Sequence, residues 1–209
     1  MSQRQQDVLA GYAAAAAELI PRYEALSTAA VLAPVADRLP TRPGHVLDVG
    51  AGTGRDAAWL AERGHRVTAV EPVAALRSAG MALHPSLAID WVDDRLPLLA
   101  GVRQRGELYD LVLLDGVLHH LPPDEQAGAI LPLASMVRPC GRLILSLRHG
   151  PAQPDRPGFP TDPDRIVETG EAAGLRLTLR RAAPSLQPDN CKAGVSWTWL
   201  CLDREPAGD

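Results

Sequence analysis

Apolar side chains recur three or four positions apart over residues 3–20. Val8, Leu9, Tyr12, Ala16, Leu19 and Ile20 make one stripe, continued by Tyr23, and that period predicts an amphipathic helix. Pro21 is expected to end or offset it, because proline lacks the N–H that would bond four residues back. The period returns over residues 27–39 with Val31, Leu32, Val35 and Leu39, where Pro34 disturbs the first turn. From residue 46 the pattern changes. Short apolar runs at 46–50, 67–71, 87–92, 108–115 and 142–148 predict buried strands. Segments of helical period at 54–63, 73–83, 96–105, 124–137 and 164–173 lie between and after them. Pro132 is a defect inside the 124–137 segment. Residues 150–163 are rich in proline and glycine and read as a loop. Two more strands, 175–181 and 196–203, are joined without a helical period.

Strands that alternate with helices and are apolar on both faces predict a parallel sheet covered on both sides. The last two strands lack a crossover helix, so they are expected to pair antiparallel at the sheet edge. The result is an α/β three-layer sandwich with seven mostly parallel strands and a terminal antiparallel hairpin. Residues 1–43 are expected to cap the same domain, with 44–209 as its α/β body. A chain of 209 residues suits one domain.

The densest chemistry lies where the first strand ends. Val46-Leu47-Asp48-Val49-Gly50-Ala51-Gly52-Thr53-Gly54 leads from the strand into a turn with glycines two apart, and a helix follows at Arg55. Strand, glycine-rich turn and helix open a nucleotide-binding βαβ unit. The N–H groups of Gly54 and Arg55, at the helix start, are expected to receive an anionic group. A dinucleotide fingerprint needs glycine at position 55, and Arg55 there disfavours a nicotinamide-dependent reductase. The order G-x-G-x-G, with Asp48 two residues ahead, resembles the first motif of class I S-adenosylmethionine (SAM)-dependent methyltransferases. Tyr109-Asp110-Leu111-Val112-Leu113-Leu114-Asp115-Gly116-Val117-Leu118-His119-His120-Leu121 resembles the fourth motif of that family. The stretch from Arg138 to Pro151 resembles its turn into the fifth strand, with Cys140 where glycine is more usual. The resemblance spans about residues 44–203. It implies a Rossmann-like fold, SAM as cofactor, S-adenosylhomocysteine as product, and methyl transfer to an O, N, S or C nucleophile.

On that resemblance Gly50, Ala51, Gly52, Gly54 and Arg55 form the turn against the methionine end of SAM. Asp48 balances the ligand's amino group or caps the turn. Glu71 ends the second strand, where a carboxylate accepts hydrogen bonds from a cis-diol such as ribose, and Pro72 flanks the adenine. Asp93 is the preferred acceptor for the adenine amino group, with Asp94 as the alternative. Trp91 reads as core. Asp115 and Gly116 meet the methyl-transfer centre, and Tyr23 reaches toward the methionine end. His119 or His120 is placed to act as general base, since an imidazole titrates near ~6.5; alternatively His120 orders the loop by hydrogen bonding. Arg148 and His149 face the substrate, where Arg148 suits a carboxylate or phosphate, or they belong to an ordinary strand-end turn. No metal site is expected, because adjacent histidines project differently and no third ligand stands nearby.

Charge narrows the acceptor. The net charge is −4 and no Lys/Arg run occurs, so neither nucleic acid nor an anionic membrane is an expected partner. Leu114-Asp115-Gly116-Val117 lacks the Asn/Asp-Pro-Pro-aromatic pattern of enzymes that methylate nucleobase amino groups. A small-molecule methyl acceptor is the leading expectation, and a SAM-binding protein without methyl transfer is the alternative. Among 21 basic residues only Lys192 is a lysine, which with many Ala, Gly and Pro points to a GC-rich bacterial genome. Cys140, Cys191 and Cys201 form no C-x-x-C pair and read as thiols in a reducing cytosol. No apolar run approaches the ~18 residues of a membrane span and no signal peptide is visible, so a cytoplasmic location is expected. The oligomeric state is not legible.

Overall fold

The computed structural model describes residues 3–85, 87–152 and 156–206. Its strands are β1 His45–Val49, β2 Arg66–Val70, β3 Ile89–Val92, β4 Tyr109–Leu114, β5 Val137–His149, β6 Leu175–Pro184 and β7 Ser196–Arg204. They form one seven-stranded sheet in the order β3-β2-β1-β4-β5-β7-β6. The first five are parallel. β7 runs antiparallel between β5 and β6, so the terminal hairpin is present and β6 is its outer strand. The helices are α1 Gln3–Glu24, α2 Thr28–Val31, α3 Arg55–Ala61, α4 Ala74–Leu83, α5 Ala100–Gln104, α6 Pro123–Met136, α7 Pro163–Ala172 and α8 Pro188–Lys192.

The apolar runs are continuous because both faces of the sheet are covered. Successive strand residues point to opposite sides. Leu47, Val49, Val112 and Leu114 pack on one side with Ile130 and Leu133 of α6 and Ile166 of α7. Val46, Leu111 and Leu113 face the other side, with Leu60 of α3 and with Leu32 and Val35. From β1 the chain builds outward through β2 and β3, then returns to β4 on the opposite flank of β1. Such a reversal opens a crevice above the carboxyl ends of the two central strands. α1 lies over this crevice and packs on α4 through Ala16, Val73 and Leu76. Among the described residues no helix is long and apolar enough to cross a membrane.

Several elements depart from the hydrophobic pattern. α1 continues through Pro21 to Glu24. The carbonyl that Pro21 leaves without a donor belongs to Ala17, which is exposed, so solvent can take the place of the missing bond. Pro132 is tolerated inside α6 for the same reason, its fourth residue back being the exposed Gly128. The 27–39 segment splits at Leu32 into α2 and a 3-10 segment, Ala33–Arg38, with Pro34 in the first turn of the latter. A proline there costs no internal hydrogen bond. β5 begins at Val137 rather than 142, and its pairing with β4 shifts register between Tyr109 and Leu111. Cys140 lies in that irregular stretch at φ +63°, a left-handed conformation that favours glycine. The connection between β6 and β7 is not helix-free, since it contains α8. The loop at 150–163 includes residues 153–155, which lie outside the described residues.

Candidate active site

A cavity of about 530 Å³ fills the crevice, a size suited to a small ligand. Its floor is built by residues 50–53, 71–73, 94–96 and 115–117, all following strand ends, and α1 roofs it with Tyr12, Leu19 and Tyr23.

The three glycines of the first turn do different work. All have positive φ, at 75°, 59° and 79° for Gly50, Gly52 and Gly54. A Cβ on Gly50 would collide with Val117, and one on Gly54 would stand 2.6 Å from Trp91. These two glycines therefore serve packing around the crevice. At Gly52 the nearest atom to a Cβ is in the Tyr23 ring at 3.7 Å, so this is the position where the backbone is open to a ligand. Trp91 is half-buried and packs against the core, where it fills the space behind Gly54. The Gly54 N–H is not free at the helix start: it donates to the Ala51 carbonyl at 2.8 Å. Gly54 also does not line the cavity, whereas Ala51 and Arg55 do.

Acidic groups dominate this end. Asp48 is buried, and its Oδ2 has no hydrogen-bond partner. The Arg55 guanidinium forks onto Asp56 with bonds of 2.8 and 2.7 Å and lies 3.7 Å from Asp115 Oδ2. Thr28 Oγ1 donates to Asp56 at 2.8 Å. Ser146 Oγ donates to Asp115 at 2.6 Å and accepts from the Gly116 N–H at 2.8 Å. Three carboxyl groups thus share one guanidinium. Burial, then Asp56 and Asp115, push the Asp48 carboxyl well above the usual range. Burial and Asp56 push Asp115 up to about 6, against the pull of Ser146 and Arg55. Burial opposes the Arg55 charge, but the hydrogen bonds and the surrounding carboxylates keep it protonated. A wall of this kind favours a cation.

Glu71 closes the turn. Its Oε2 accepts from the Gly52 N–H at 2.8 Å and its Oε1 from the Val73 N–H at 2.7 Å. Burial raises its pKa, and these two bonds work against the rise. Each oxygen keeps a second lone pair for a ligand hydroxyl. Farther along, Pro72 and Asp94 line the cavity but Asp93 does not. The Asp93 side chain is 63% exposed and pairs with Arg77 at 3.0 Å. Asp94 accepts from the Arg95 N–H at 2.8 Å and the Val102 N–H at 3.0 Å, which fixes the entry to α5. The preference for Asp93 over Asp94 is therefore reversed in position.

The two histidines diverge. A 3-10 turn, Leu118–His120, follows β4. The His120 Nδ1 lies 3.1 Å from the Pro157 carbonyl, which can only accept, so this nitrogen carries the proton. Its Nε2 then accepts from the Tyr12 hydroxyl at 2.8 Å. Burial holds the Tyr12 pKa well above its usual value, with Tyr23 adding to the rise, and burial lowers that of His120. His119 is buried with its ring edge-on to Trp197, and its Nδ1 has no partner. Burial, then His120 and Arg148, hold its pKa well below the usual value.

Arg148 lines the cavity, but His149 does not and bonds Thr198 at 2.8 Å. His149 instead faces a smaller adjoining cavity. Tyr12, Asp56, Ser146 and Trp197 belong to the site and were not singled out from the sequence. Tyr12 was hidden in the apolar stripe of its helix, and Asp56 in the first turn of α3. No cluster of three or more metal-ligating residues occurs among the described residues.

Comparison with known proteins gives the family. A family model described as a methyltransferase domain matches residues 22–186. An uncharacterized methyltransferase of Mycobacterium tuberculosis is 30% identical over 162 residues, which cover 77% of this chain and 60% of that protein. The chain thus spans less than two thirds of that relative's length. The 1,6-didemethyltoxoflavin-N1-methyltransferase of Burkholderia thailandensis, crystallised with 1,6-didemethyltoxoflavin and S-adenosylhomocysteine, is 26% identical with a TM-score of 0.72, covering 96% of this chain and 87% of its own. The [4+2]-cyclase SpnF shares the fold at 15% identity and a TM-score of 0.67, covering 85% of this chain and 81% of its own. With the glycine turn, the strand-end carboxylates and a matched segment longer than half the chain, the chain belongs to the methyltransferase-domain family.

Proposed function

We propose that this protein transfers a methyl group from SAM to a nucleophile on a small molecule. The observation that carries the reading is the unpartnered, buried Asp48 Oδ2 beside an open Gly52. An orphaned carboxylate oxygen costs free energy unless a ligand completes it, and the ammonium of a methionine moiety supplies the donor. SAM fits the rest of the pocket by chemistry. Glu71 keeps lone pairs for two ribose hydroxyls, Pro72 and Leu96 offer apolar surface to adenine, and the acidic wall suits a sulfonium. When bound, SAM supplies an electrophilic methyl group on that sulfonium. The chain's part is to hold the acceptor in line and exclude water. His120 Nε2, oriented by Pro157 and Tyr12, receives the acceptor's proton through or in place of the Tyr12 hydroxyl.

The acceptor class is small because the chain is acidic and the cavity lies under a helical roof. Trp197 and Tyr12 offer aromatic surface to an acceptor, and the similar 1,6-didemethyltoxoflavin-N1-methyltransferase was crystallised with the small molecule 1,6-didemethyltoxoflavin. Within the expected 1–43 cap, the described residues from 3 onward cover the same domain, tied down by Tyr12–His120 and by Thr53 Oγ1 donating to Glu24 at 2.5 Å. A bacterial cytoplasm accords with three free cysteines and with bacterial relatives.

The cyclase with this fold makes turnover the deciding test. The protein is incubated with methyl-labelled SAM and a bacterial small-molecule extract. Label in a new small molecule supports transfer. SAM binding without label transfer, across extracts that other methyltransferases use, favours a non-transferring SAM protein.

A further inference from the structure

We propose that the methyl acceptor carries an oxyanion group, a carboxylate or phosphate, seated in the smaller cavity between His119 and Arg148. The inference rests on the reading that the acceptor lies beside Tyr12 and His120. This second cavity, of about 330 Å³, shares His119, Arg148 and Ala152 with the main one, and His149, Gly158 and Thr161 are among its other walls. It is an extension of the acceptor side, away from the acidic floor.

Three observations point to an anion. The Arg148 guanidinium has no carboxylate within ion-pair reach among the described residues, and its one protein bond is to the Gly150 carbonyl at 3.3 Å. Buried His119 has an Nδ1 with no hydrogen-bond partner among the described residues. Beyond burial, and among the described residues, Arg148 acts on both His119 and His120 and Arg156 acts on His120, each lowering the pKa. A half-buried guanidinium beside an orphaned imidazole nitrogen can give an oxyanion two charge-assisted or neutral donors. Thr161 and His149 are already engaged, with the Arg148 carbonyl and Thr198, so they frame the subsite rather than bind. Space is kept by Gly158, where a Cβ would stand 3.3 Å from both His119 and Ala152. The polarity of the whole cavity then makes sense. The cationic donor lies among Asp48, Asp56 and Asp115, the acceptor's anion lies at Arg148, and the nucleophile falls between them near Tyr12.

The test is calorimetric titration with benzoate, phenyl phosphate and the neutral isostere benzamide, in the absence and presence of S-adenosylhomocysteine. Benzoate or phenyl phosphate is expected to bind at least about tenfold more tightly than benzamide, and the stronger of the two assigns carboxylate or phosphate. Arg148→Gln and His119→Asn are each expected to erase that preference, while thermal unfolding shows that the variants fold. Equal binding of benzamide, anion binding untouched by both substitutions, or no anion binding by the folded protein would overturn the proposal. The S-adenosylhomocysteine titration separately reports the cofactor site, so its failure strikes the methyl-transfer reading and leaves the anion arms decisive.

Discussion

Replacing Asp115 with asparagine should stabilise the unliganded protein at pH 8 and leave it nearly unchanged at pH 4. The folded-state pKa of Asp115 is raised from 3.8 to about 6. A carboxyl group raised on folding binds its proton more tightly in the native state than in the unfolded one. Stability is then greatest below the unfolded pKa and falls as pH rises through the folded one. At about 1.36 kcal/mol per pH unit, the rise corresponds to about 3 kcal/mol. The side chain keeps 22% of its surface in solvent, which screens the charge and reduces the figure to about 2 kcal/mol. Asparagine keeps an oxygen for the Ser146 hydroxyl and removes the charge, and Arg55 retains Asp56. For a chain of this size, about 2 kcal/mol is worth about 4–8 °C in Tm. Urea unfolding of the wild type and Asp115→Asn from pH 4 to 8 measures it. The two curves should separate between about pH 4 and 7, with the variant the more stable above. A variant less stable at pH 8, or a gap independent of pH, would refute the electrostatic argument.

Tyr12→Phe removes the donor to His120 Nε2 and is expected to lower kcat about 100-fold with unchanged affinity for S-adenosylhomocysteine; steady-state kinetics on the identified acceptor check it, and an unaltered kcat would remove Tyr12 from the proton path. Gly54→Ala should destabilise the fold by about 2 kcal/mol or more through strain and the Trp91 clash, whereas Gly52→Ala should chiefly weaken cofactor binding; paired unfolding and titration experiments separate the two, and identical behaviour would contradict the division of labour in the turn. Cys140→Gly should raise stability by up to about 1 kcal/mol, since glycine relieves the left-handed strain but loses more chain entropy on folding; urea unfolding reads it, and a loss of stability would contradict the strain argument.

The sheet was legible because both faces of its central strands are buried, which writes β1, β2 and β4 as nearly continuous apolar runs. The last pair was legible as antiparallel from its connection, although α8 is too short and polar to show a helical period. Pro21 was expected to stop its helix and does not, while the helix expected through Pro132 forms; whether a proline breaks a helix depends on the exposure of the residue four back, which sequence does not display. The strand-end acids Asp48, Glu71 and Asp115 were legible because a turn fixes where a strand ends. Residues that reach the site across the fold were not. Tyr12 arrives from a helix 108 positions from His120, and Trp197 from a strand inserted out of order. Nor could adjacent histidines be told apart, because the 3-10 turn alone sends His120 to Tyr12 and His119 to Trp197. Asp94 rather than Asp93 lines the cavity for a similar reason: Arg77 draws the first outward, and the α5 entry holds the second over the cavity.

The central claim is that the cavity binds SAM through the acids of the glycine turn. Calorimetric titration with S-adenosylhomocysteine, with NADH as the control ligand, tests it most directly on the wild type, Asp48→Ala and Glu71→Ala. Micromolar binding of S-adenosylhomocysteine alone is expected, weakened about tenfold or more in each variant, which is a loss of about 1.4 kcal/mol. Binding of NADH instead, or equal affinity in all three proteins, would contradict it.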